Sequence, residues 1–267
     1  MLLFYQFALG LALSCLVACG ALFLQWLSPS GTIAAIISGT LIITIGPWYS
    51  IFLVGFFFAS SGAISLFKHQ VDRAPDDPVN KGHKRDMLQV WANIFPSLFV
   101  LLLYRVLNND MFLLAFIAGI ASCTSDTWGS DIGVLSRKPP RDLLTGKKLA
   151  PGLSGGVSLL GTCTSLAGSA AIIGLYTISL WLSGKPIILT QLILLVALGF
   201  LGSLVDSLLG ATIQVRYQCL VCGQYTEKKI HHQQATRKVS GLAFVSNEGV
   251  NFLSNLLIVV ITLLLFK

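Results

Sequence analysis

An all-α, polytopic integral membrane protein with about eight transmembrane helices follows from three properties of this chain. Of its 267 residues 54% are hydrophobic and only 11% charged, against roughly 25% charged in an average soluble domain. The apolar residues fall into long blocks rather than alternating with a period of two or 3.6. Several blocks run close to 20 residues, the length a helix needs to cross ~30 Å of hydrocarbon. One soluble core of this size cannot hide so much apolar surface. The blocks are also too long for the ~10-residue strands of a membrane barrel, so helices must satisfy the backbone.

Reading in chain order, the spans are placed at 2–27, 31–46, 48–67, 87–107, 111–130, 155–183, 187–214 and 249–266. The first lacks a basic start and an Ala-x-Ala exit, so it reads as a retained helix rather than a cleaved signal. The second is short and Pro47 separates it from the third, which leaves a re-entrant pair over 31–67 as the alternative. No internal repeat or low-complexity linker divides the chain, and residues 1–267 are read as a single membrane domain.

Charge orients this arrangement. Fifteen of the 18 Lys and Arg lie in three segments, five each in 68–86, 136–148 and 216–238. Only Arg105, Lys185 and Lys267 fall elsewhere. The positive-inside tendency then makes the three segments cytoplasmic and both termini external. The net charge of +7 fits an anionic leaflet or substrate and requires no nucleic acid.

Intramembrane carboxylates are costly and mark function by default. The densest such segment is Ser122–Gly133, which closes an apolar block with small residues, hydroxyls, Asp126 and Asp131. Asp126 and Ser130 share a helix face, whereas Asp126 and Asp131 diverge by ~140°. One Mg²⁺ meets both acids if the helix unwinds near Gly129, since Mg²⁺ binds through one or two carboxylates plus substrate phosphates. A pair of solvated acids at a helix end is the plainer reading.

After this comes a basic stretch, with Lys147 and Lys148 before Pro151-Gly152-Leu153-Ser154-Gly155-Gly156. Basic residues before a glycine turn that opens a helix make an anion site, although no Walker A pattern occurs. A positive-inside loop with a glycine helix start would look the same. Gly202, Asp206 and Gly210 recur every four residues, so a small face carries one acid, with Ser207 beside it. Tight packing of that face would turn Asp206 toward the bundle interior; a structural interhelical hydrogen bond is the alternative. Asn247, Asn251 and Asn255 form a polar stripe on the last span, able either to complete a site or to bridge helices.

Cys15, Cys19, Cys123 and Cys163 sit in apolar blocks as small apolar residues. Cys219-x-x-Cys222-Gly223 with His231 resembles half of a zinc site, the alternative being a polar hairpin. His232 adjoins His231, and neighbouring side chains do not easily reach one ion. At the start of the fourth span, Arg85 suits phosphate, and Gln89 and Asn93 share a helix face.

R-D-x-x-Q-V-x-A-N from Arg85, S-D-T-W-x-S-D-I-G-V-L-S from Ser125, P-G-x-S-G-G-V-S-L-L-G-T from Pro151, G-S-L-V-D-S-L-L-G-A from Gly202 and the C-x-x-C-G…T-E-K stretch resemble, in order, the membrane family of plant phytyl-phosphate kinase and eukaryotic transmembrane protein 19. This is the domain of unknown function 92. The chain departs from that pattern at His232, where relatives carry cysteine, and at Ile94-Phe95, where they carry glycine. More distantly it is similar to dolichol kinases and phosphatidate cytidylyltransferases.

The resemblance implies phosphoryl transfer from CTP or another nucleoside triphosphate to an isoprenyl monophosphate. It implies Asp126, Asp131 and Asp206 as catalytic acids holding Mg²⁺ and triphosphate, with Asp126 and Asp131 as the metal ligands. Lys147, Lys148, Gly152, Ser154, Gly155 and Gly156 would bind phosphates, while Arg85, Gln89 and Asn93 would position the acceptor. Ser130, Ser207, Asn247 and Asn251 would support them. The Zn²⁺ reading at Cys219, Cys222 and His231 rests on the C-x-x-C spacing alone, and the departure at His232 counts against it. The competing readings are a cytidylyltransferase forming a CDP-lipid and a lipid or isoprenoid transporter, whose paired broken helices have no counterpart beyond 31–67.

Overall fold

The computed structural model describes residues 2–71 and 84–267; the interior of the first basic segment lies outside them. Among the described residues there are eight helices: α1 (Leu2–Phe23), α2 (Pro29–Ile45), α3 (Ser50–Val71), α4 (Met87–Leu107), α5 (Asp110–Gly133), α6 (Leu159–Leu182), α7 (Leu189–Thr212) and α8 (Asn247–Leu265). Seven have the length and hydropathy to cross a membrane, and α2 is a shorter apolar helix of 17 residues. Five begin on a side-chain cap, from Ser28, Asp86, Asn109, Ser158 and Ser246, each accepting a backbone N–H of the first turn. Such caps satisfy donors that the helix itself leaves open.

Both members of the α2–α3 pair traverse the bundle. Leu27, before α2, lies in a parallel bridge with Arg85 at the start of α4. Trp48, after α2, donates from Nε1 to Ser183 Oγ at 3.4 Å, beyond the end of α6. Since α4 and α6 leave the first end and finish at the second, α2 spans between them, and the re-entrant alternative for 31–67 does not hold. Hydroxyls in the spans, among them Ser38, Thr44 and Thr262, donate to the carbonyl four residues back, at 2.7, 2.6 and 2.7 Å for these three. This satisfies them without an interhelical partner.

The bundle is built around α5. Its apolar stretch is 78% buried, whereas no other candidate span exceeds 44%. Small residues allow this, because neighbours can approach its backbone. A Cβ at Gly129 would collide with Ser165 Oγ on α6, and one at Gly202 on α7 with Ser122 Oγ. Gly129 is thus consumed by helix contact, and α5 stays helical through Gly133 rather than unwinding between Asp126 and Asp131.

Pro96 lies within α4 and removes one backbone donor. One turn earlier, the Asn93 carbonyl accepts from Asn255 Nδ2 at 2.5 Å and Cys123 Sγ at 2.9 Å. Neighbouring helices commonly take up carbonyls freed near a membrane proline. Asn255 is 1% exposed and its Oδ1 accepts from Ser97. Replacing Asn255 with Leu is expected to destabilise the bundle by about 1–2 kcal/mol, read as an earlier unfolding midpoint in mixed detergent micelles.

Between α5 and α6, β1 (Arg141–Asp142) pairs antiparallel with β2 (Gly156–Val157). Between α7 and α8, β3 (Arg216–Gln218) lies between β4 (Tyr225–Thr226) and β7 (Arg237–Ser240), and β5 (Ile230–His231) pairs with β6 (Gln234–Ala235). Both loops lie at the end where α3, α5 and α7 finish.

Candidate active site

One cavity of about 320 Å³ opens at that end. Its wall draws on α3, α4, α5, α6, α7 and α8 and on both loops, and it gathers most of the residues singled out in the sequence. Arg85, Gln89, Asn93, Asp126, Ser130, Asp131, Gly152, Ser154, Gly155, Gly156, Asp206, Ser207, Asn247 and Asn251 all line it.

Local structure explains how each arrives. The Arg85 backbone is held on the α1–α2 turn, its N–H donating to the Trp26 carbonyl at 2.9 Å and its carbonyl accepting from Ser28 N at 3.0 Å. Its guanidinium also stands 5.8 Å from the Phe57 ring centre. Asp86 caps α4 through the Gln89 N–H at 2.9 Å, so the Arg-Asp pair divides into one cavity-lining residue and one cap. The small face of α7 behaves as its spacing predicts. Gly202 abuts Ser122 of α5, a Cβ at Gly210 would lie 3.0 Å from the Gly155 nitrogen, and Asp206 between them faces the cavity.

The asparagine stripe divides. Asn251, with its amide nitrogen toward α7, donates to Asp206 Oδ2 at 3.0 Å and to the Asn247 carbonyl at 3.0 Å. Ser254 Oγ donates to the same Asp206 oxygen at 3.2 Å. Asn255, one turn deeper, is the interhelical bridge described above. Asn247 and Asn251 thus line the cavity, while Asn255 bridges helices.

Three expectations need correction. First, Lys147 and Lys148 are exposed on the hairpin that begins at β1 and do not line the cavity. The hairpin turns at Gly146, where φ is +67°, and directs them away. The cavity's cations among the described residues are instead Lys68 and Arg85. Second, the unwinding near Gly129 that would let one ion meet both Asp126 and Asp131 does not occur: α5 is helical through Gly133, so the two acids keep the separate faces their spacing gives. Asp131 turns toward α3 and pairs with Lys68 at 3.2 Å. Third, the glycine turn does not open α6 directly. Gly156 belongs to β2, and α6 starts three residues later on the Ser158 cap.

Ser154 is the hub of that turn. Its Oγ donates to Glu227 Oε1 at 2.5 Å and its N–H to the same oxygen at 3.3 Å. Gln214 Nε2 donates to Ser154 Oγ at 2.8 Å, and an Arg216 guanidinium nitrogen donates to the Ser154 carbonyl at 2.6 Å. The Glu227 carboxylate thus occupies an N–H that the sequence assigns to a phosphate. Arg216 also meets Asp142 at 3.5 Å. Burial pushes the Asp142 carboxyl up, but the N–H and hydroxyl of Thr145, the Leu144 N–H and the Arg216 charge together hold it below the usual carboxylate range. Its contribution is present at neutral pH and is lost only as pH falls through that lowered value.

The sequence reading gives no role to Lys68, nor to Glu227, although Glu227 lies in the T-E-K stretch that carries the resemblance. The first looks like any lysine closing a span, and the second lies in a loop between two cysteine and histidine clusters. Only the tertiary arrangement brings them to the wall.

Four carboxylates (Asp126, Asp131, Asp206, Glu227) and two cations line the cavity among the described residues. An excess of acid facing a glycine turn and an arginine suits a divalent cation together with phosphate, and does not suit a bare anion.

Comparison with known proteins places the chain among membrane proteins of related sequence. The family described as integral membrane protein DUF92 matches residues 12–259. Protein PGR of Arabidopsis thaliana is 30% identical over 276 aligned positions, which cover 95% of this chain and 93% of the relative. An uncharacterized membrane protein of Methanocaldococcus jannaschii is 33% identical over 131 positions, about half of each chain (49% and 52%). No solved structure matches.

Proposed function

The chain belongs to the DUF92 family of integral membrane proteins, and on that premise we propose that it is a membrane phosphotransferase converting an isoprenyl monophosphate to the diphosphate with CTP or another nucleoside triphosphate. The observation that carries this reading is the convergence of Asp126, Asp131 and Asp206 with Arg85 and the Ser154–Gly156 turn on one cavity at the end of the bundle. By the positive-inside tendency that end is cytoplasmic, where nucleotide is available.

In this reading an oxygen of the prenyl phosphate attacks the γ-phosphorus of the nucleotide, the β–γ bridging P–O bond breaks, and the nucleoside diphosphate leaves. The acceptor oxygen is already anionic, so no strong base is required. What the reaction asks of the protein is alignment and neutralisation of charge. Asp126 and Asp206 would hold Mg²⁺, with Asp131 close by, and a bound Mg²⁺ supplies charge neutralisation on the triphosphate. Asn251 and Ser254 orient Asp206 through its Oδ2. Arg85, Gln89 and Asn93 hold the acceptor phosphate near the membrane boundary, so its prenyl chain stays in the apolar layer. The Ser154–Gly156 turn receives nucleotide phosphate beside or in place of Glu227.

Purified protein in detergent with Mg²⁺, CTP and a panel of prenyl monophosphates is expected to yield prenyl diphosphate. No product from any prenyl phosphate with any nucleoside triphosphate would overturn the proposal. The lysines give a finer test of which cations act. Replacing both Lys147 and Lys148 with Met should change kcat/KM by no more than about threefold, since the pair is exposed and screened. Lys68→Met or Arg85→Met should each lower it by about 10²-fold, as expected for a charged partner lost from a partly desolvated site.

A further inference from the structure

The loop between α7 and α8 carries a second constellation, outside the cavity. Cys219, Cys222, His231 and His232 each present a ligand atom, and these atoms all lie within 4.8 Å of one another. Both cysteines are free thiols. Cys222 Sγ stands 3.7 Å from His231 Nδ1. Zn–S of ~2.3 Å and Zn–N of ~2.0 Å at the tetrahedral angle require an S···N edge of about 3.5 Å. One edge is therefore already at length, and the longest separation closes by about 1 Å around an ion.

The backbone is arranged for the same end. Cys219 begins a tight turn in which the Gly223 N–H donates to the Cys219 carbonyl at 3.0 Å, with Gly223 at φ +72°. The Val221 N–H points at Cys219 Sγ at 3.4 Å, the contact a thiolate ligand accepts. On the other side, His232 and Gln233 form the two-residue turn between β5 and β6, at φ +51° and +60°. Neither is glycine, and successive left-handed residues cost on the order of 1–2 kcal/mol each. That turn is what lets adjacent histidines reach one point, their ring centres 4.2 Å apart. The expectation that neighbouring side chains cannot share an ion fails here because it presumes ordinary strand geometry, in which they diverge.

We propose that Cys219, Cys222, His231 and His232 bind one structural Zn²⁺, which ties the β3–β4 turn to the β5–β6 turn and so fixes the loop segment carrying Glu227 against Ser154. Four protein ligands leave no open position, the pattern of a structural rather than a catalytic zinc. Between the two tied turns lie the fully buried Thr226 and then Glu227, whose carboxylate meets the Ser154 N–H and hydroxyl. The ion would act as a clamp on the rim of the cavity, and the proposal does not rest on the phosphotransfer reading.

The full chain, purified in detergent without chelator, is expected to hold about one zinc by elemental analysis. Its Co²⁺-substituted form should show the visible d–d bands of a tetrahedral thiolate–imidazole site. The Cys222→Ser, His231→Asn double variant alters two side chains at least partly exposed, leaves the buried Cys219 in place, and should lose at least about fivefold of the metal. In that variant, amide exchange over 213–246 should rise while the transmembrane helices keep their protection. Wild-type protein with neither zinc nor Co²⁺ uptake would overturn the proposal. So would a double variant that retains full zinc, or unchanged exchange over 213–246 after the metal is removed.

Discussion

Asp126→Asn is expected to lower kcat by about 10³-fold or more, equivalent to roughly 4 kcal/mol of transition-state stabilisation, with the protein still folded. The change keeps the side chain's size and removes only its charge. The cavity's acid excess is what would draw a divalent cation together with the triphosphate, so losing one of the acids on the central helix removes charge that phosphoryl transfer depends on. Asp206→Asn should act similarly. There Ser254 and Asn251 both donate to one oxygen, so Asn at 206 keeps an acceptor but loses the anion. Elution as a single detergent-solubilised species with an unchanged unfolding midpoint would establish that the loss is chemical. Turnover within tenfold of wild type in both variants would remove these acids from the chemistry.

Gly155→Ala tests the turn rather than the acids. At φ +82° a side chain is strained whatever space it has, and here a Cβ would lie 2.7 Å from the Ala211 nitrogen and Cα on α7. Both are backbone atoms that cannot swing aside, so the 154–156 turn must move. An activity loss of about 10²-fold is expected, in the range seen when a reacting group is displaced by ~1 Å, with a lower unfolding midpoint. Gly146→Ala is the matched control. It has nearly the same backbone angle, +67°, but nothing within 4 Å, so it should cost only the ~1–2 kcal/mol of a left-handed alanine and leave activity within about threefold. If the two variants behave alike, backbone strain rather than the position of the turn explains the effect.

The comparison of sequence with structure separates local from tertiary information. The spans were legible because the hydrocarbon imposes their length: the reading of 87–107 coincides with α4, and 187–214 overshoots α7 by two residues at each end. The acids, Arg85 and the small face of α7 were legible because each is a local departure from an apolar helix, and such departures need a reason in lipid. Lys147 and Lys148 misled because nearness in sequence to the glycine turn does not survive the hairpin at Gly146. Lys68 carries no local signal, and Glu227 only its place in the T-E-K stretch; α3 and the 213–246 loop deliver them to the wall from distant parts of the chain. His232 reads as a poor co-ligand because it adjoins His231, yet the left-handed turn at 232–233 brings the two ring centres within 4.2 Å.

We propose phosphoryl transfer to a lipid phosphate in this cavity. It is tested most directly by following label from CTP carrying ³²P at either the γ or the α position into phytyl or geranylgeranyl phosphate. The account predicts γ-label in the prenyl diphosphate, release of CDP, no α-label in lipid, and neither product with Asp126→Asn. Lipid carrying α-label with release of pyrophosphate would identify a cytidylyltransferase and contradict the account. Lipid that stays unlabelled from both positions, in protein shown to be folded, would contradict it as well.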